Sequence, residues 1–298
     1  MPSSPQQPAI REWVSINGQI VTPDKAVISV FDSGFLQGVG LFETMRSYDG
    51  VVFRLDAHLD RLAQSAQALG WAILPDREAM RENVMLVTQH LTEGDARVRL
   101  TVTTGSLRVT TGDEAPHLTF VATASLGAKY PDDIYIKGVT AVIAAGKQVA
   151  GDPTFAHKTT SYFGRLAALR AAHRVGAFEA LWFTPEGKLA EGSISSVFVV
   201  EDGKLATPPL TTPVLPGVTR AAVIELAVHA GIPVREDEIT MDRLLDADEV
   251  FLASSLMELV PVVRVERKPI GTEKPGDVAR DLAGRYIEVV QMECGHAL

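Results

Sequence analysis

Apolar residues recur along this chain with two different periods, and the change from one to the other marks its elements. Trp13 to Val21 alternates around Asn17-Gly18, a dipeptide typical of a two-residue hairpin. Ala26 to Val30 reads as a further short strand. Gly34, Gly38 and Gly40 mark tight backbone turns over 31–40. Leu41 to Tyr48, the Asp49-Gly50 turn and Val51 to Leu55 continue the strand pattern, so an antiparallel sheet is predicted. The period then lengthens. Leu55, Leu59, Leu62, Ala66 and Leu69 recur at three and four, which predicts a helix ending at Gly70 with Asp56 as its N-cap. A second helix is predicted over 77–91, and alternating strands over 97–103 and 117–122.

The pattern breaks at Ser125 to Asp133, where Gly127, Pro131 and two aspartates interrupt it. Beyond lie predicted strands over 139–145, 180–184, 197–200, 249–253 and 260–265, and a short extended piece over 205–209. Helices are predicted over 163–174, from Leu215-Pro216-Gly217 to Gly231, and over 275–292. The expected organisation is a leader over 1–9, a small α+β domain over 10–124, a linker over 125–133 and a larger domain over 134–298. The fold class is mixed α+β and α/β in two domains.

Composition narrows the function. The chain has 298 residues, 46% apolar, with a formal net charge of −9. An acidic chain with scattered arginines lacks the basic patch that nucleic acid requires. The longest apolar runs fall short of a membrane span. The leader, rich in Ser, Pro and Gln, has neither the basic nor the apolar region of a signal peptide. Cys294 is the single cysteine, so no internal disulfide can form, and a cytoplasmic setting is expected. Seven histidines are dispersed without metal-ligand spacing, and no metal is expected. His58, on a helix-like run, reads as a packing or hydrogen-bonding residue.

Two stretches carry candidate chemistry. Ala156-His157-Lys158-Thr159-Thr160-Ser161-Tyr162 follows a turn at Gly151-Asp152-Pro153 and leads into the helix over 163–174. This places Lys158 at a helix entry among hydroxyl residues; a lone lysine there is ordinarily a solvated charge. About thirty residues on, Glu191-Gly192-Ser193-Ile194-Ser195-Ser196 puts a carboxylate, a glycine and three serines before an apolar strand.

Together these stretches resemble the fold-type IV family of pyridoxal-phosphate enzymes, and the resemblance covers nearly the whole chain. The family holds branched-chain and D-amino-acid aminotransferases, (R)-selective amine transaminases and aminodeoxychorismate lyase. The resemblance implies pyridoxal 5'-phosphate as cofactor and Lys158 as the amine that condenses with its aldehyde, which requires a lowered pKa. It implies Glu191 as the carboxylate facing the pyridine nitrogen. Tyr162 is either a partner of the ring hydroxyl or an aromatic core residue. Where the family commonly has Asn, this chain has Ser196.

Arg54-Leu55-Asp56-Ala57-His58-Leu59-Asp60-Arg61-Leu62 resembles the family's Arg-Leu-x-x-His-Leu-x-Arg-Leu pattern, with Arg54 expected to grip the phosphate and Arg61 expected to be structural. Leu215 to Arg220 resembles the Leu-Pro-Gly-x-x-Arg turn, which would offer the N–H groups of Val218 and Thr219 and the Thr219 hydroxyl. Ser255 matches a third phosphate contact, and Leu256 would lend an N–H to substrate. Phe42-Glu43-Thr44 resembles the family's Phe-Glu-Thr signature, with Phe42 lining the substrate side. Arg99 and Arg108 are candidates for a substrate carboxylate and equally for solvated charges.

The resemblance implies an aminotransferase acting on an amino donor and a 2-oxo acid, and commonly a homodimer with the site at the interface. Elimination of pyruvate by an aminodeoxychorismate lyase is the alternative. A non-catalytic binding protein is the remote one, since Lys158, Glu191 and Arg54 are all present.

Overall fold

Residues 12–91, 94–106, 117–127, 129–152 and 154–295 are described by a computed structural model. The chain opens with β1 (Glu12–Ile16) and β2 (Gln19–Val21), joined as predicted through Asn17 and Gly18. Both turn residues have positive φ, 49° and 78°, which Asn and Gly tolerate best. The buried Asn83 carboxamide oxygen accepts hydrogen bonds from the Ser15 hydroxyl and the Gly18 N–H, tying the hairpin to a helix.

The strand predicted over 26–30 does not form; this stretch lies outside both sheets with Val27 and Val30 exposed. In place of a simple turn over 31–40 stands α1 (Ser33–Gln37). Asp32 caps it by accepting from the Gly34 N–H, and Gly38 ends it at φ 68°. Then come β3 (Gly40–Tyr48), β4 (Val51–Val52), α2 (Leu55–Ala68), α3 (Arg77–Thr88), β5 (Asp95–Thr103) and β6 (Thr119–Leu126). The N-cap of α2 is Arg54, in the left-handed region at φ 51°, so Asp56 sits inside the first turn and not at the cap. Ser125 and Leu126, expected in the linker, are the last residues of β6.

These strands form one antiparallel sheet in the order β2-β1-β6-β5-β3-β4. Leu59, Leu62 and Ala66 of α2 and Met80, Val84 and Val87 of α3 bury their apolar stripes against Val98, Leu100 and Val102 of β5.

The rest of the chain runs through α4 (Asp133–Ile136), β7 (Val139–Lys147), α5 (Phe163–Arg174), β8 (Glu179–Phe183), β9 (Leu189–Gly192), β10 (Ser196–Glu201) and β11 (Lys204–Thr207). It continues with α6 (Val218–His229), β12 (Val234–Glu236), α7 (Met241–Asp246), β13 (Glu249–Ser254), β14 (Glu258–Val265), β15 (Lys268–Pro269) and α8 (Asp277–Cys294). The second sheet has the order β12-β11-β10-β13-β14-β7-β8-β9, with β15 on β14. β7 pairs in parallel with both β8 and β14, while β10, β13 and β14 are antiparallel neighbours. Both faces of its central strands are covered, which explains the nearly continuous apolar runs over 197–200 and 250–253. One face packs on α7 through Leu244; the other packs on α6 and α8 through Leu226, Leu282 and Tyr286. Tyr48 and Phe53, from the first sheet, enter this second core, with the Phe53 ring 5.4 Å from that of Tyr286.

Leu62 is 1% exposed at the centre of the first core. Leu62→Ala should cost about 2–5 kcal/mol, read as a lowered urea midpoint by circular dichroism; an unchanged midpoint would contradict this packing.

Candidate active site

A cavity of about 460 Å³ lies between the two sheets. Its size suits a small ligand. Its central group is Lys158. The lysine does not sit at a helix entry as expected: α5 starts five residues later, and 158–160 is extended. The Phe42 N–H donates to the Lys158 carbonyl at 2.8 Å, and the Thr160 N–H donates to the Gly40 carbonyl at 2.8 Å. The lysine segment is therefore an added strand on the end of β3. The same pairing removes the premise that Tyr162 lies one helical turn from Lys158.

Lys158 is half-buried, its amine 5.0 Å from the Phe42 ring centre and 5.9 Å from that of Tyr162. Burial disfavours its charged form, and the neighbouring Arg61 adds to this, pulling Lys158 from the usual 10.5 to about 8.

The start of α6 lines the cavity. Gly217 is the N-cap of α6 and offers no side chain, so the first N–H groups of the helix, including those of Val218 and Thr219, lack a side-chain cap. A side chain at Gly217 would crowd the Ser196 hydroxyl at 2.8 Å and the Arg220 Cβ at 3.0 Å. The Thr219 hydroxyl is buried beside the Tyr286 phenol and makes no well-aligned hydrogen bond among the described residues. Ser255 lines the same cavity.

Arg61, and not Arg54, lines this cavity. Arg54 lies outside the cavity lining and pairs with Glu225 at 2.7 Å and Glu293 at 3.4 Å. As the N-cap of α2 in a left-handed conformation it points elsewhere, whereas Arg61, two turns along the helix, faces inward and lines the cavity. Glu43 holds Arg61 through Nε at 2.8 Å and Nη2 at 2.5 Å. Burial alone would raise the Glu43 pKa, but Arg61 and the His58 hydrogen bond at 2.8 Å outweigh it and hold Glu43 at about 2. His58, lowered chiefly by burial, is neutral and donates through Nδ1 to this carboxylate.

Glu191 lines the same cavity, beside the turn that leads into α6. Its Oε1 accepts from Arg165 at 2.5 Å and from Gln148 at 2.9 Å, and its Oε2 accepts from the Leu215 N–H at 3.1 Å. Sequence reasoning missed Arg165 and Gln148. Arg165 is one turn beyond Tyr162 on α5, and nothing in its spacing announces the partner 26 residues away. The turn after Glu191 is built on a second buried carboxylate, Glu179. It accepts from the N–H groups of Ala180, Ser193 and Ile194 and from the Ser195 hydroxyl. Ser193 in turn accepts, through its carbonyl, from the Tyr162 hydroxyl at 2.7 Å. The Tyr162 phenol is pushed up to about 12, chiefly by burial, and the ring packs edge-on against Phe42.

β5 and the turn after β13 also line the cavity. Arg99 stacks 3.8 Å from the Phe42 ring centre and donates to the Thr101 hydroxyl. Burial, with Arg97 two residues away on the same face, lowers Arg99 to about 10. Neither arginine forms an ion pair among the described residues. The Leu256 carbonyl is held by Arg46 at 3.0 Å, fixing the turn that also carries Ser255. Arg108 lies outside the described residues. Of the expected site residues, Lys158, Phe42, Arg99, Tyr162, Glu191, Val218, Thr219, Ser255 and Leu256 all line the one cavity.

A sequence profile of Amino-transferase class IV matches residues 40–265. A Methanocaldococcus jannaschii protein provisionally named a branched-chain-amino-acid aminotransferase is 32% identical over 93% of this chain and 96% of its own length. An aminodeoxychorismate lyase of Bacillus subtilis is 30% identical, over 87% of this chain and 89% of its own. Among solved structures, the branched-chain amino acid aminotransferase of Escherichia coli superposes with a TM-score of 0.84 at 27% identity, covering 93% of this chain and 94% of that one.

With the amine shifted to about 8, reductive trapping of a simple aldehyde on the full-length chain should label Lys158, at a rate that rises as pH passes through 8. The neutral amine is the reactive form and accumulates above its pKa. Labelling that rises only near the pKa of a solvated lysine would contradict the burial.

Proposed function

The chain belongs to the class IV aminotransferase family, whose enzymes work with pyridoxal phosphate, and we propose that it moves an amino group between an amino acid and a 2-oxo acid as a cytoplasmic homodimer. The observation that carries this reading is the convergence of a half-buried, proton-poor lysine, a carboxylate and an uncapped helix start on one cavity. The residues present fit the cofactor. The uncapped N–H groups at Val218 and Thr219, the unpartnered Thr219 hydroxyl, Ser255 and Arg61 suit a phosphate. Glu191 suits a pyridine nitrogen, and Lys158 lines the same cavity. The bound cofactor would supply an aldehyde that takes up an amine and a ring that withdraws electrons from the donor's Cα.

The chain's own residues would do the rest. Nζ of Lys158, neutral at a pH near 8, is the base for the Cα proton of the donor. It returns a proton to Cα of the acceptor in the second half of the exchange. Arg99, stacked on Phe42 and lacking a carboxylate, would take the carboxylate of the substrate. The Leu256 N–H, oriented by the Arg46 contact to its carbonyl, would assist it. Phe42 and Tyr162 would exclude water from the amine.

Lyase chemistry on the same groups is the second reading, favoured by the similarity to the Bacillus subtilis lyase. The two differ in whether an amino donor leaves its nitrogen on the cofactor. The purified yellow protein should lose its visible band on addition of amino donors and recover it with a 2-oxo acid. A band that no amino donor bleaches would favour the lyase. Lys158→Ala should abolish the characteristic band and nearly all turnover; a variant that keeps both would overturn the assignment of the amine.

The dimer reading rests on an apolar surface around α1. Val27, Val30, Phe35 and Leu36 are 75%, 61%, 66% and 52% exposed, and Phe163, at the start of α5, is 80% exposed. Patches of this kind mark interaction surfaces. The Gly38 carbonyl, at the end of α1, accepts from the Thr160 and Ser161 hydroxyls, so this surface adjoins the lysine segment. Phe35→Asp should shift the light-scattering mass from dimer to monomer and lower activity. A wild-type monomer with full turnover would contradict the proposal.

A further inference from the structure

Glu43 touches neither the cofactor's expected position nor the substrate side, yet it is among the most completely buried charges in the chain, 1% exposed. A buried carboxylate is costly unless every lone pair is used. Here Oε1 accepts from Arg61 Nε, and Oε2 accepts from Arg61 Nη2 and His58 Nδ1. The Arg61 fork is thus occupied along one edge. Nη1 donates to the Pro216 carbonyl at 3.0 Å, immediately before the Gly217 N-cap of α6. One Nη1 N–H is left without a partner among the described residues, on a side chain that lines the cavity. Arg61 belongs to α2, beside the first sheet, and Pro216 belongs to the turn that starts α6, over the second. The two halves of the proposed phosphate site therefore come from different sheets and meet at Arg61.

From this geometry we infer that Glu43 is a positioning residue for the phosphate: it fixes the Arg61 fork in register with the start of α6, with His58 as its second anchor. The inference rests on the reading that Arg61 takes the phosphate. Three features on the page support it. An arginine has several rotatable bonds and costs roughly 2 kcal/mol to order, which a two-point carboxylate clamp supplies in advance of the ligand. The charge of Glu43 cancels that of Arg61 close to Lys158; without it, an unpaired guanidinium would act on the amine at full strength. His58 cannot replace it, because a neutral imidazole donating through Nδ1 offers Arg61 no acceptor there.

The readout is the preference of the full-length chain for pyridoxal phosphate over pyridoxal, which differ only in the phosphate. Both dissociation constants are measured by titration on the cofactor-free chain, for wild type, Glu43→Gln, Glu43→Asp and Arg61→Lys. Glu43→Gln should lower the preference by about tenfold or more, the effect of losing one charge-assisted contact, while pyridoxal affinity stays within about twofold. Glu43→Asp, which keeps the charge on a shorter arm, should recover part of the preference, and its comparison with wild type still decides the matter should the Gln variant fail to fold. Equal loss for both ligands would make Glu43 merely structural and overturn the inference. A preference lost in Arg61→Lys but intact in both Glu43 variants would overturn it while leaving the role of Arg61 standing. A preference untouched in Arg61→Lys would instead remove the reading on which the inference rests.

Discussion

Two backbone hydrogen bonds, from Phe42 to Lys158 and from Thr160 to Gly40, set the geometry on which the site depends. They append the lysine segment to the end of β3, a strand whose own residues face the core of the first sheet. Lys158 is thereby fixed to one sheet while the chain that follows it, through α5, belongs to the other. An amine on a free helix end would be solvated, because lysine keeps its charge in water. Held beside Phe42, Tyr162 and Arg61 it is half-buried, and its proton is correspondingly easier to lose.

Charge is apportioned with the same economy. Of the cations lining the cavity, Arg61 is paired with Glu43 and Arg165 with Glu191, while Arg97 and Arg99 form no ion pair among the described residues. Lys158 has none among the described residues, so desolvation acts on it with little compensation. Had either pair been broken, the local field would have changed sign or strength at the reacting nitrogen. The buried carboxylates Glu43, Glu179 and Glu191 thus divide three tasks: holding Arg61, shaping the Gly192–Ser195 turn, and holding Arg165 beside the cavity.

Elements whose identity comes from local periodicity were legible in the chain. The helix over 163–174 matches α5 end for end, and the Asn17-Gly18 hairpin formed where its turn chemistry placed it. The strand expected over 26–30 failed because it rests on apolar composition alone, and no neighbouring strand is placed to pair with it. β12 and α7 were missed because three and six residues give too little pattern to read. The N-cap of α2 was misplaced by two residues, since Arg54 adopts a left-handed conformation that no propensity favours.

The residues of the site divide along the same line. Lys158, Glu191, Val218, Thr219 and Ser255, which line the one cavity, were named in advance through their resemblance to a family's motifs. Which arginine of the Arg54–Leu62 stretch enters the cavity could not be: residues seven apart share a helical face, and the choice depends on where along α2 the cavity lies and on the left-handed backbone of Arg54. Arg165 and Gln148 were equally out of reach, as partners of Glu191 drawn from 26 and 43 residues away. The sequence by itself determined the types of chemical group and the local elements that carry them, because those follow from side-chain identity and period. Only the tertiary structure decided which groups meet, which charges cancel and which amine is half-buried, because these are set by packing between two sheets that the chain visits far apart.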